Sequence, residues 1–387
     1  MNKISQASID RFAGGRFLFV LGQYAKLGGA ERQAIILADQ LRRRVGCHVE
    51  FLAWGGEGRV SSEIRELGIE PRVFPLNWNN GRISQLITLR RLQRYLRYEL
   101  RPDYILPYIG FNCKIVGMVW RRSKASFTWW NQRDEGRDIY GSKLEHKIIH
   151  SVPKVVSNSY EGRDFLVRKF GLPENRIEVL NNGIVIPQRS DNSHWRETLS
   201  IHSDQLLITM VANLTQFKDH TTLLKAFAEL RKTDVGKHCH LALAGRLAES
   251  TDLLKVLAFD LGLCGSVHFL GAVAKPASLW SATDFAVHSS ETEGCPNAAL
   301  EAMSHGLAVC GTNISGMRQA VGDTEAGDVL ASPRDGDGLF RIMHRLASSS
   351  NERLQRGESN RRRIVQHFSP EGLAERVLQL INEHQVI

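Results

Sequence analysis

The sequence predicts an α/β protein of two doubly wound, Rossmann-like domains. Short apolar runs of strand length alternate with amphipathic helical stretches along nearly the whole chain, the pattern of parallel sheets with helices on both faces. The alternation breaks once, at the polar residues 186–202, and then restarts. The length of 387 residues is too great for one ordinary core and suits roughly two.

The elements follow in order. Phe17 to Leu21 is an apolar run of strand length, followed by a loop holding Gly22, Gly28 and Gly29. Glu31 to Arg44 reads as a helix, with Ala34, Leu37, Ala38 and Leu41 at i, i+3, i+4, i+7 spacing. His48–Ala53 is the next strand. Arg82–Arg101 reads as one long helix, and strands follow at Tyr104–Pro107, Val155–Asn158 and Ile177–Leu180, the last ending at the turn pair Asn182-Gly183. Pro187 and several Ser, Asp and Asn residues make 186–202 a linker. Beyond it, strands are expected at Leu206–Ala212, His240–Ala244, Val267–Leu270, Phe285–His288 and Leu307–Cys310, with a helix at Thr222–Arg231. The tail from Arg341 is helical, with breaks expected near Gly357 and Ser369-Pro370. Ligands of such sheets bind beyond the carboxyl ends of the strands, which here implies an interdomain cleft. The domains expected are 1–188, 189–368 and a closing helix, 369–387.

Hydrophobic residues at 42% and charged residues at 24% exclude disordered, collagen-like and low-complexity chains. The net charge of +9 is uneven. Residues 1–190 carry 31 Lys and Arg against 18 Asp and Glu, a net +13, and the rest carry 19 against 23, a net −4. The first half therefore suits an anionic partner such as a membrane surface, although drift in surface composition accounts for such a split as well. No zinc spacing or nucleic-acid-binding signature accompanies the charge, so nucleic acid is not an expected partner. Six cysteines without a CxxC pair, a polar start and no long apolar run predict a reduced, cytoplasmic chain that can touch a membrane.

The stretch Ser289–Val321 carries the chemistry. Gly294 gives a turn after a strand, Pro296 opens a helix, and Gly306 fits its stop. The amides of Cys295, Asn297 and Ala298 then lie at a helix N-terminus, which suits a phosphate or a sugar hydroxyl. Glu293 and Glu301 straddle them. Carboxylates there accept hydroxyl hydrogen bonds, so the group suits a nucleotide sugar. Two isolated glutamates would equally fit a dipole-favoured helix start and a solvent-facing helix residue.

The whole string resembles the EGxPxxxxEAMxxGxPV signature of the retaining glycosyltransferases of family 4. Glu293-Gly294-Cys295-Pro296, Glu301-Ala302-Met303 and Gly306-Leu307-Ala308-Val309 match it, with Ala308 at the terminal Pro. Gly28-Gly29-Ala30-Glu31 resembles the family's first-domain GGAE loop, and Val179–Ile184 its VIPNGVD segment. Val211–Leu214 with Lys218-Asp219-His220 resembles VGRLxxxKG, and Phe368-Ser369 the start of the closing helix.

The resemblance implies the GT-B fold and a transfer that needs neither metal nor cofactor, with a nucleotide sugar as co-substrate, UDP favoured over GDP. Glu293 and Lys218 would be catalytic. Gly28, Gly29, Asn213, Lys218, Arg246, Glu293, Gly294, Cys295, Pro296, Asn297 and Glu301 would line the donor site. The acceptor, a lipid-linked or surface-polysaccharide glycan, would meet the first domain through Asn131, Gln132, Arg133, Arg90, Arg94 and Arg97. The protein would sit peripherally at the inner face of the cell membrane. Asn213 stands where the family has an Arg for the diphosphate, with Arg246 and Arg133 as candidate replacements. No His occupies Trp129–Asp134, where many members carry one. A nucleotide-sugar epimerase or hydrolase, and a non-catalytic protein binding anionic membranes, are the alternatives on the same scaffold.

Overall fold

The computed structural model describes residues 9–385 apart from 26, 77, 79, 80, 134, 135, 137, 138, 188–193 and 248–250. The chain forms two compact units, Met1–Gly183 with Pro370–Ile387, and Ile184–Ser369.

The first unit holds β1 (Arg16–Leu21), β2 (His48–Ala53), β3 (Arg72–Val73), β4 (Tyr104–Pro107), β5 (Phe127–Gln132), β6 (Lys154–Ser157) and β7 (Ile177–Val179). They form one parallel sheet in the order β3-β2-β1-β4-β5-β6-β7. Phe19 on β1 is in register with Phe51 and Leu106 on its two neighbours. Helices cover both faces, which is why the central strands read as continuous apolar runs. Helix Gly29–Val45 buries Ala34, Leu37, Ala38 and Leu41 and ends at left-handed Gly46. The last helix, Pro370–Gln385, joins the same core through Leu373, Val377, Leu378 and Ile381. Gln33 clamps the chain there, with its amide donating to the Gly183 carbonyl at 2.9 Å and accepting from the Gly183 N–H at 2.7 Å.

The long helix expected at 82–101 has two parts. An α-helix spans Gly81–Arg94, and a π-helical stretch spans Tyr95–Leu100. Leu92, Leu96 and Leu100 are buried against the sheet, four residues apart, a spacing the wider π turn keeps on one face. Arg101 closes the helix in the left-handed region, and Arg90, Arg94 and Arg97 are exposed along it. Leu86 faces away from the core and is exposed beside Ile83 and Ile87.

The second unit holds β8 (Leu206–Val211), β9 (Cys239–Ala244), β10 (Val267–Gly271), β11 (Phe285–His288), β12 (Ala308–Thr312) and β13 (Leu330–Ala331). Its sheet is also parallel, in the order β10-β9-β8-β11-β12-β13. Residues 194–198 of the expected linker are a short helix of this unit. Trp195 donates to Ser278 at 2.9 Å, and Arg196 pairs with Asp284 at 3.1 Å.

Gly357 is no helix break either. It lies inside helix Ser350–His367, where a Cβ would strike the carbonyl oxygen of Gly306, so the glycine lets the helix backbone rest on that turn. The break falls at Ser349, whose hydroxyl caps the helix. Among the described residues, no helix is long and apolar enough to cross a membrane.

Candidate functional site

In the second sheet the strand order reverses between β8 and β11, and loops beyond the carboxyl ends of such strands form ligand crevices. The loop after β8 carries Lys218, and the loop after β11 runs through Ser289–Pro296. They are tied by the Glu291 N–H donating to the Phe217 carbonyl at 2.9 Å, and by the Ser289 hydroxyl donating to the Lys218 carbonyl at 2.9 Å. Thr312, at the end of β12, donates to the Ser290 carbonyl at 2.5 Å. Asp219 follows Lys218 in the left-handed region and caps helix His220–Arg231 through Thr222.

Glu293 is the centre of this group. Its Oε2 lies 2.5 Å from Lys218 Nζ, 2.7 Å from His288 Nε2 and 3.1 Å from Ser290 Oγ. Ser290 Oγ also lies 3.0 Å from His288 Nε2. Oε1 has no hydrogen-bond partner among the described residues. Burial works to raise the pKa of Glu293, but the charges of His288 and Lys218 outweigh it and hold the carboxyl well below its usual range. His220, next to Lys218, is buried with no partner on either ring nitrogen. Burial, together with the charges of His288 and Lys218, pushes its imidazole down to about 4.

Asn213 and Arg246 come together at the ends of β8 and β9. Asn213 Oδ1 accepts from the Arg246 backbone N–H at 3.1 Å and from its guanidinium Nε at 3.4 Å. The exposed Arg246 side chain is thus held against Asn213. Gly294 and Pro296 are buried, and the helix starts one residue after Pro296, at Asn297. Gly316, at the start of the next helix, packs against this loop so closely that a Cβ would run into the carbonyl oxygens of Gly294 and Glu293. Glu301 is half-buried on helix Asn297–Ser304.

The remaining candidates lie in the first unit. The Gly28 N–H donates to Glu31 at 3.1 Å within its own helix start, before Gly29. Arg133 lies beside Glu31, stacks over the Tyr108 ring at 5.6 Å, and donates to Asn182 at 2.5 Å. Arg133 therefore belongs to a polar cluster at the ends of β4, β5 and β7. Asn131 is buried, its N–H donating to Cys113 Sγ at 3.3 Å. Gln132 accepts from Trp130 at 3.2 Å. Sequence reasoning missed His288, Ser290, His220 and Gly316. Histidine at the carboxyl end of a buried apolar strand was the signal available for His288. The packing partner of Gly316 left none.

Among the described residues, no group of three or more His, Cys, Asp or Glu could hold a metal ion. This arrangement sets a carboxylate with one unpartnered oxygen, among the described residues, beside the Lys218 ammonium at the sheet's reversal point. It can accept hydroxyl hydrogen bonds and neutralise an anion in one place.

The family pattern "Glycosyltransferase Family 4" matches residues 27–186, and "Glycosyl transferases group 1" matches residues 205–349. D-inositol 3-phosphate glycosyltransferase of Rhodococcus opacus is 27% identical over 243 residues, 61% of this chain and 54% of that protein. Lipopolysaccharide core biosynthesis glycosyltransferase LpsE of Rhizobium meliloti is 28% identical over 186 residues, 48% of this chain and 52% of that protein. The chain thus spans about half the length of the curated relatives it matches. The structure of Anabaena HepE with UDP-glucose superposes with a TM-score of 0.79 over 95% of this chain and 99% of that one, at 19% identity. The chain belongs to glycosyltransferase family 4 and has the GT-B fold.

Proposed function

We propose that the protein is a retaining glycosyltransferase that moves a sugar from a nucleotide-diphosphate sugar to a lipid-linked or surface-polysaccharide glycan. The observation that carries this reading is the Lys218–Glu293 pair at the reversal point of the second sheet, inside the family's signature. Lys218 and Arg246 neutralise the departing diphosphate, which stabilises charge that grows in the transition state. Glu293 accepts from a hydroxyl of the donor sugar, and Glu301 from the ribose. The acceptor hydroxyl attacks the face that the diphosphate leaves, and a phosphate oxygen takes its proton, so the configuration is retained. Positioning and leaving-group stabilisation supply the rate, without metal or other cofactor.

A UDP-sugar is the first donor to test, because HepE is described with UDP-glucose, and a GDP-sugar the second. The relative named for lipopolysaccharide core biosynthesis supports a glycan acceptor. Exposed Ile83, Leu86 and Ile87 beside exposed Arg90, Arg94 and Arg97 support a first domain that meets an anionic membrane, at the inner face of the cell membrane. The test is release of nucleoside diphosphate from a panel of nucleotide sugars by the full chain. Release that disappears in Glu293→Ala and Lys218→Ala is expected. Unchanged release in both variants refutes the site.

A further inference from the structure

Glu293 carries one feature that its family role does not require. The Lys218 ammonium, the His288 imidazole and the Ser290 hydroxyl crowd Oε2, while Oε1 has no hydrogen-bond partner among the described residues. Lys218 cannot serve two anions equally. Once a diphosphate is bound, the ammonium has a doubly charged partner as well as the carboxylate. Glu293 is partly buried, and a carboxylate there that loses its cation is pushed toward the protonated form, which cannot accept from a sugar hydroxyl through both oxygens.

His288 is placed to prevent this. It is buried at the end of β11, and its neighbours Phe285, Ala286 and Val287 are core residues, so the imidazole is carried by a rigid strand. Its Nε2 is 2.7 Å from the same Oε2, in the tautomer or charge state that donates from that nitrogen. Ser290 bridges the two. The other groups around the cluster are Lys218, His220 and Asp219 from the β8 loop and the helix start, and Glu291, held by Arg334 at 2.7 Å. His220 is pushed toward its neutral form, so it supplies no competing charge.

We infer that His288 is a positioning residue for sugar transfer, holding Glu293 by Oε2 so that Oε1 stays turned to the donor when Lys218 moves to the diphosphate. The inference rests on the glycosyltransferase reading and names a part of that site not otherwise assigned. No covalent step is involved.

The test compares full-length wild type, His288→Leu and His288→Gln, with UDP-glucose as probe. His288→Leu should keep UDP binding, seen as a thermal shift, and lower kcat for UDP release about 10- to 100-fold with little change in KM. Its acid limb, where Glu293 takes up a proton, should move up by about one pH unit or more. His288→Gln puts an amide donor in place of the imidazole. It should recover part of kcat and show a smaller displacement of the limb. A second readout needs no turnover: in the UDP complex, the 13C shift of the Glu293 carboxyl carbon, assigned by Glu293→Gln, should titrate higher in His288→Leu than in wild type. A Leu variant with wild-type kcat and limb, a Gln variant no better than Leu, or a carboxyl titration untouched by the substitution overturns the inference. Wild type that binds UDP but turns over no nucleotide sugar refutes the enzymatic reading instead, and leaves the carboxyl titration to decide the role of His288.

Discussion

The two units share a sheet plan and differ in what they place on it. Each sheet runs outward from a reversal, between β1 and β4 in one and between β8 and β11 in the other. In the second unit the loops at the reversal hold Glu293 between Lys218 and His288, with Arg246 at the next strand end. In the first unit the corresponding region holds Glu31, whose carboxyl pKa is pushed up by burial, beside Arg133. Its excess of cations stands on the outside, along helix Gly81–Arg94 and the π-helical stretch beyond it. The same backbone plan therefore supports two uses of charge. One is a small, tightly hydrogen-bonded cluster in which individual atoms matter. The other is a broad exposed field, which attracts by sum and is screened by salt.

This contrast breaks most clearly at Glu293 and Lys218. Replacing either with Ala should lower nucleotide-sugar turnover by roughly 10²- to 10³-fold, measured as UDP release, because each removes a group aimed at developing or buried charge. The first unit should respond by sum. Replacing Arg90, Arg94 and Arg97 together with Ser should weaken binding to vesicles containing phosphatidylglycerol by about 1 kcal/mol per cation, roughly a hundredfold in all. UDP release should stay unchanged in that variant, and added salt should shrink the difference in a co-sedimentation assay. Equal binding by wild type and triple variant would leave the basic half without this role.

Acid should also separate the units. His220 is buried neutral with its pKa down at about 4, against 6.5 for the free side chain. Unfolded chain therefore binds more protons between those values. The stabilisation is complete above pH 6.5 and is lost as pH falls toward 4, about 1–3 kcal/mol in total. Thermal unfolding followed from pH 7.5 to 4.5 should show that decline in wild type, and a flatter profile in His220→Leu. The smallest effect belongs to Arg246, an exposed side chain held through Asn213. Arg246→Ala should weaken UDP binding by about tenfold in calorimetry, in line with the loss of one charge-assisted contact. Arg133→Ala should leave UDP binding unchanged, and the reverse pattern would move the missing cation to Arg133.

Much of this molecule was legible in one dimension. Strand runs such as Phe17–Leu21 and Phe285–His288 are apolar because parallel strands are buried on both faces, so they stand out in the chain. Glu293, Gly294, Pro296 and Glu301 stood out because one continuous loop-and-helix string resembles the family signature; as isolated residues the two glutamates fit an ordinary helix equally well. The basic half was plain from counting. The π-helical stretch was not, since Leu92, Leu96 and Leu100 fit an α-helix equally well, and only packing on the sheet selected the wider turn. Nor was the glycine at 357, which reads as a break and is instead a close contact with Gly306.

The sequence by itself determined the alternation of strands and helices, the signature loop and the sign of the charge on each half. Tertiary structure alone decided the partners. Lys218 and Glu293 are 75 residues apart, and Asn213 and Arg246 are 33 apart. No local propensity measures the distance between them. It is set by the order of β9, β8 and β11 in the sheet, which brings loops distant in the chain to one edge and makes a cluster of side chains that are unremarkable singly.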